Sequence, residues 1–189
     1  IINGDDYYGK DSFRILGDWL RAHENSKGVY SIVGFELDHT LSESGSVSRG
    51  ICAYDKEQHL TDIVEHLNIA READGKVYGD NSLTGETHVE LVADNLCSMN
   101  MWGFTPDYFE KSEKIFESFL EQNINELKKE FYIPYAIDCM IKSGEAQTDV
   151  LSTPSHWFGV TYKEDRPAVV AKFQEFADKG VYPTPLYTK

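Results

Sequence analysis

The sequence predicts an α/β protein with a mixed sheet. Three observations carry that expectation: short runs rich in β-branched and aromatic residues such as YSIVGFEL and RGICAYD, amphipathic stretches of helical period between them, and the interleaving of the two kinds along the chain. There is no long linker, low-complexity block or internal repeat. At 189 residues the chain suits one domain, spanning 1–189, with a core of its own.

The elements follow in order. IINGDD opens on two β-branched residues and a turn, and DSFRILGDWLRAH follows as a helix with Phe13, Leu16 and Leu20 on one stripe and Ile15 and Trp19 beside it. Gly28 is a stop signal. YSIVGFEL and RGICAYD are strands separated by SESGS, a turn composition, and HLTDIVEH is a third short strand. From about Asn68 to Asn95 the pattern decays, and the stretch reads as an excursion with a hairpin at its ends. LCSMNMWGF is apolar again. The clearest helix starts at TPDYFEK, with Thr105 as cap, Pro106 in the first turn and Asp107 at the positive end. Phe116, Phe119, Leu120, Ile124 and Leu127 are its expected core stripe. IPYAIDCMIKSG is a further helix and QTDVLS and WFGVT are strands. The last helix carries Val169, Val170, Phe173 and Phe176, with Gly180 closing it.

Charge and composition exclude several classes. Lys and Arg total 18 against 32 Asp and Glu, a formal charge of −14, which repels phosphate backbones and anionic membrane surfaces and argues against nucleic-acid and membrane partners. No apolar run reaches the roughly 18 residues of a membrane helix, and no signal-peptide pattern is present, so the chain reads as cytoplasmic. Cys52, Cys97 and Cys139 are odd in number and set in apolar surroundings, which predicts reduced thiols. None of the six histidines forms an i, i+4 ligand pair, and no G-x-S-x-G elbow or Gly-rich phosphate loop occurs. Glu36-Leu37-Asp38-His39-Thr40 approaches the D-x-D-x-T pattern of aspartyl phosphatases, but with Glu in the nucleophile position.

The opening residues raise the functional question. A strand of two or three residues is too short to start an α/β sheet, so Ile1 and Ile2 are expected to end a longer strand that begins outside this sequence, the chain being an N-terminally truncated fragment. Asp5 and Asp6 would then follow directly on a strand, where the ligand crevice of open α/β sheets lies. Adjacent carboxylates need a cation, and hard oxygen ligands beside a phosphate substrate point to Mg2+. The plainer reading makes NGDD a turn in which Asp6 or Asp11 caps the next helix.

INGDDYYGKDSF, LTDIVEH, SMNMWGFTPDYFE and HWFGVTYKEDRPAVV, in this order, resemble the sugar-phosphate nucleotidyltransferases, or NDP-sugar pyrophosphorylases. The similarity spans nearly the whole chain, with SMNMWGF its most distinctive part. The resemblance implies a Rossmann-like fold of the glycosyltransferase-A type and a reaction joining a nucleoside triphosphate and a sugar 1-phosphate, with release of pyrophosphate. It implies that Asp5 is the metal-binding aspartate with Asp6 beside it, that Glu65 holds sugar or ribose hydroxyls, and that Asn100 and Gly103 lie in the sugar-contacting segment. Lys163 is a further expected phosphate contact; alternatively it is a solvated lysine flanking a capping box of Thr161 and Glu164.

Two departures stand out. The family's Gly-rich signature loop with its basic triphosphate grip is absent, and the position of a second metal-binding aspartate, two residues after the tryptophan of HWFGVT, is Gly159. The expected chemistry is in-line attack of a sugar phosphate oxygen on the α-phosphorus, assisted by charge neutralisation and positioning with no protein nucleophile. This chain by itself is expected to be inactive. The alternative is a nucleotidyltransferase-like protein that binds a sugar nucleotide without turning it over. A homo-oligomer is compatible with either, since unpaired sheet edges favour self-association.

Overall fold

The computed structural model describes residues 1–42, 45–159 and 166–186. Its centre is a mixed seven-stranded sheet. In chain order the strands are β2 (Val29–Glu36), β3 (Val47–Tyr54), β4 (Leu60–Arg71), β5 (Val77–Asn81), β6 (Val89–Leu91), β7 (Leu96–Gly103) and β8 (Gln147–Thr153). Across the sheet their order is β6-β5-β4-β3-β7-β2-β8, and only the β2/β8 pairing is parallel. A separate antiparallel pair joins β1 (Asp6–Tyr7) to β9 (Phe158–Gly159). Among the described residues, four helices, α1 (Gly9–Ala22), α2 (Asp107–Asn123), α3 (Ile133–Lys142) and α4 (Arg166–Asp178), complete the α/β arrangement, with a short 3-10 turn, η1, at Leu37–Thr40.

The run YSIVGF is apolar apart from the hydroxyls of Tyr30 and Ser31, as suits a strand covered on both faces, and all six residues from Tyr30 to Phe35 are buried. On one face Val33, Phe35, Met99 and Met101 pack with Leu16 of α1 and with Tyr8. On the other, Tyr30, Ile32 and Trp102 pack with Tyr108 of α2 and with Ile137 and Met140 of α3. Each fully buried large side chain contributes about 1.5–3 kcal/mol relative to exposure. No described helix is long and apolar enough to cross a membrane. Cys52 and Cys97 are buried and Cys139 is half-buried, all three as free thiols.

Several expectations need correction. In α1 the buried stripe is Ser12, Leu16 and Trp19, while Phe13 stands 50% exposed. The helix is turned because the indole of Trp19 reaches down to Asp149 on β8 (Nε1 to Oδ2, 2.8 Å). Of the stripe expected on α2, Phe116 and Leu120 are exposed, and Ile124 (73% exposed) and Leu127 (100%) lie beyond the end of the helix at Asn123; Tyr108 is its buried residue. Thr105 does not cap α2 through a backbone N–H; its hydroxyl donates to Asp107 (2.5 Å), and Pro106 occupies the cap position. The 68–95 stretch is part of the sheet. A bulge between Leu67 and Ala70, with Asn68 at φ +53°, lets β4 continue to Arg71, and β5 and β6 extend the sheet beyond it. Val77 and Leu91 close over Ile69 in the same core.

Candidate functional site

The site forms where the turn at Asn3–Asp6 meets β7. The main chain of Ile1 exchanges both hydrogen bonds with Trp102, donating at 2.8 Å and accepting at 2.9 Å, so the opening residues lie along β7 in the manner of an antiparallel strand. Neither Asp6 nor Asp11 caps α1: the cap residue is Tyr8, which makes no side-chain cap bond. Asp11 instead accepts from Thr153 (3.1 Å), which ties the first turn of α1 to the end of β8.

A hydrogen-bonded chain then runs from the sheet interior to the acids. The indole N–H of Trp102 donates to Asn100 Oδ1 (3.0 Å), Asn100 Nδ2 to Asn3 Oδ1 (2.6 Å), and Asn3 Nδ2 to Asp6 Oδ2 (2.8 Å). The Tyr8 hydroxyl donates to Met99 O at 2.9 Å, lies 3.3 Å from the same Asp6 oxygen, and accepts from the Asn3 main chain at 3.1 Å. Burial pushes the Tyr8 phenol up to about 12, against the Asn3 main-chain donor and helped by the negative charge of Asp6, so it remains a donor at neutral pH. Asn100 adopts φ +61°, a left-handed conformation that asparagine tolerates and that turns its amide toward Asn3.

Asp5 stands exposed in the turn and Asp6 is half-buried. Asp6 pairs with Gly159 across the β1/β9 ladder, and a Cβ at residue 159 would lie 2.6 Å from Asp6 Oδ1. The position where the resemblance implies a second aspartate therefore directly faces Asp6. Glycine leaves Asp6 Oδ1 uncovered there while Oδ2 is engaged by Asn3 and Tyr8.

Glu65 lies on β4 opposite Gly50 of β3, which in turn lies opposite Ser98 of β7. Gly50 leaves the row between Glu65 and Ser98 without a side chain: a Cβ there would meet Ile63 Cγ2 at 2.6 Å and come within 3.5 Å of Glu65 Oε2. Desolvation raises the Glu65 pKa, opposed by Arg49 and His66. Ser98 in turn accepts the Asn100 main-chain N–H (3.3 Å).

Gly103, at the end of β7, lies under α1. A Cβ there would meet Ser31 Oγ at 2.4 Å and Leu16 Cδ1 at 2.6 Å, so this glycine lets α1 pack down on the sheet. Lys163 lies outside the described residues, as do Thr161 and Glu164.

Arg49 was not singled out in the sequence. It lies on β3 with its guanidinium 5.0 Å from the Trp157 ring centroid and donates to Thr40 O (2.6 Å) and Thr40 Oγ1 (3.2 Å). Burial lowers its pKa, opposed by Cys97, Glu65 and Asp6. A charged residue in the middle of a half-buried strand, SVSRGIC, was the available signal.

Asp5 and Asp6 are hard-oxygen donors adjacent in sequence, and Mg2+ is commonly held by one or two carboxylates with substrate phosphates and water completing its shell. Among the described residues no group of three or more His, Cys, Asp or Glu converges on one point. Comparison with models of protein families and with curated proteins finds no match for this chain.

Proposed function

We propose that the protein is a nucleotidyltransferase that joins a nucleoside triphosphate to a sugar 1-phosphate, on a Rossmann-like fold of the glycosyltransferase-A type. One observation carries the reading. The four segments behind the resemblance, far apart in sequence, converge: Asn3 binds Asn100, Asp6 faces Gly159, and Glu65 shares a cross-strand row with Ser98 through Gly50.

In this reading Asp5 and Asp6 hold Mg2+, which when bound offsets phosphate charge. Glu65 and Asn100 present polar groups to sugar hydroxyls. Asn3 and Tyr8 orient Asp6 and keep one of its oxygens from the ion, while Arg49 contributes positive potential beside two carboxylates. Positioning and electrostatics do the work, and the chain's own groups form no covalent intermediate.

The test is pyrophosphate release by the natural full-length protein with Mg2+, across a panel of nucleoside triphosphates and sugar 1-phosphates. Activity that falls at least about a hundredfold in Asp5→Asn, with unchanged thermal unfolding, is the expected result. A second reading, sugar-nucleotide binding without turnover, is favoured by Gly159, which offers no carboxylate opposite Asp6. Tight binding of a sugar nucleotide with no pyrophosphate release from any pair would select it.

A further inference from the structure

α2 carries a second apolar stripe that the sheet does not cover. Its inner side is fixed by Tyr108 and Ile115, which pack into the core together with α3, on the face of the sheet opposite α1 and Trp157. Phe109, Phe116 and Leu120 are all exposed, and their separations of seven and four residues put them on one other face of the helix. The stripe is about 16 Å long, or three turns. The Phe131 ring borders Phe116 at a centroid distance of 5.1 Å and continues the apolar surface toward the start of α3.

The acids beside this stripe differ from those of the other helices. Asp11 and Asp18 of α1 pair with Arg14 and Arg21, Asp138 of α3 with Lys142, and Glu175 of α4 with Lys172 and Lys179. In α2 Asp107 pairs with Lys111 (2.9 Å), but among the described residues Glu110, Glu113, Glu117 and Glu121 have no ion-pair partner. By the same helical geometry Glu113 falls within the stripe, and Glu110, Glu117 and Glu121 run along one border of it. Lys114 is the remaining cation of α2, so four glutamates and one lysine leave this exposed side a formal −3.

The charges select the occupant. A second copy of the chain would set the same glutamates, and a net charge of −14, against themselves. Anionic lipid headgroups and nucleic acid are repelled by the same field. A helix whose apolar residues lie between lysines or arginines satisfies both parts of the surface, since it covers the rings and neutralises the glutamates.

We propose that α2 is a docking surface for a cationic amphipathic helix of another protein, seated along Phe109, Phe116 and Leu120 with its basic residues opposite Glu110, Glu117 and Glu121. The inference does not depend on nucleotidyl transfer and requires neither nucleotide nor Mg2+.

The experiment is a titration followed by fluorescence anisotropy. The probe is a labelled synthetic peptide of about four helical turns, built from leucine and lysine with the leucines on one face. Its control has the same composition in scrambled order. The expected result is saturable binding of one peptide per chain, at least about tenfold tighter than for the scrambled peptide. Leu120→Ser, which leaves the Phe116–Phe131 contact in place, should weaken it at least about fivefold. The triple variant Glu110→Gln, Glu117→Gln, Glu121→Gln should weaken it at least about threefold at low salt, with a smaller difference at high salt. Absence of saturable binding overturns the proposal, as does an affinity unchanged in Leu120→Ser or in the triple variant. Equal affinity for the scrambled peptide also overturns it, by assigning the binding to net charge alone. Concentration-dependent dimerisation of the chain that Leu120→Ser abolishes overturns it too, and assigns the face to a second copy.

Discussion

Asn100 donates to Asn3 across 2.6 Å and 97 residues of sequence, and that single contact joins the central strand β7 to the acidic turn. Asn100 accepts from the Trp102 indole and Asn3 donates to Asp6, so the pair transmits the rigidity of a fully buried tryptophan to a carboxylate at the protein surface.

Breaking that junction should cost stability and order at the acids together. Asn100→Ala leaves the Trp102 indole and the Asn3 amide oxygen without partners and places alanine at φ +61°. A loss of about 1–3 kcal/mol is expected in urea denaturation. Asn100→Gly removes the backbone strain but not the lost bonds, and should recover only part of it. Full recovery by glycine would mean that the amide network contributes nothing.

Gly103 and Gly159 should separate packing from site. Gly103→Ala drives a methyl into Ser31 and Leu16 and is expected to lower stability by about 1–3 kcal/mol. In the proposed transferase, Gly103→Ala protein that still folds should keep its nucleotide affinity, since the methyl is directed at Ser31 and Leu16. Gly159→Ala presses on the Asp6 carboxylate, and in the proposed transferase it should weaken Mg2+-dependent nucleotide binding more than it lowers the melting temperature. Calorimetric titration beside thermal unfolding reads both quantities.

Substitutions in α2 and in the segment just after it should sort by what is actually covered. Tyr108→Ala empties a site 5% exposed and should cost about 3–5 kcal/mol, as for other large aromatic truncations in cores. Ile124→Ser and Leu127→Ser, at 73% and 100% exposure, should stay within about 0.5 kcal/mol. Denaturation midpoints of the three variants check the order.

Acid should loosen the start of α2. Burial acts to raise the Asp107 carboxyl, but donors from Thr105, Lys111 and the Gly28 main chain outweigh it and hold the pKa at about 2, against 3.8 for an ordinary aspartate. A depressed folded-state pKa stabilises fully above the unfolded value, and the contribution disappears as the pH falls from about 4 toward 2. The side chain is 14% exposed, and the contribution is on the order of 1–2 kcal/mol. Stability measured between pH 6 and 2 should fall less steeply in Asp107→Asn. Identical slopes in the two proteins would remove Asp107 from the acid response.

Much of the fold was legible because its signals are local. YSIVGF is apolar apart from the hydroxyls of Tyr30 and Ser31, and that composition predicts a strand covered on both faces wherever it sits in the sheet. IPYAIDCMIK has helical period with a proline in its first turn, where no donor is needed, and forms α3 as expected. NGDD reads as a turn carrying two carboxylates without any knowledge of its neighbours. β5 and β6 were hidden because VYGDN is poor in strand formers and its pairing rests on a bulge in β4.

The sequence by itself determined the α/β class, the main strands and helices, and the acidic turn, since each depends on the order of residues within a few positions. The tertiary structure alone decided which apolar face of α1 and α2 is covered, because a helix with apolar residues on more than one stripe buries the one its neighbours can reach. It also decided that Asn3 meets Asn100, that Gly159 faces Asp6, and that Arg49 lies against Trp157. These contacts join residues far apart in the chain, and hydrophobic periodicity carries no information about which distant partner satisfies a polar group.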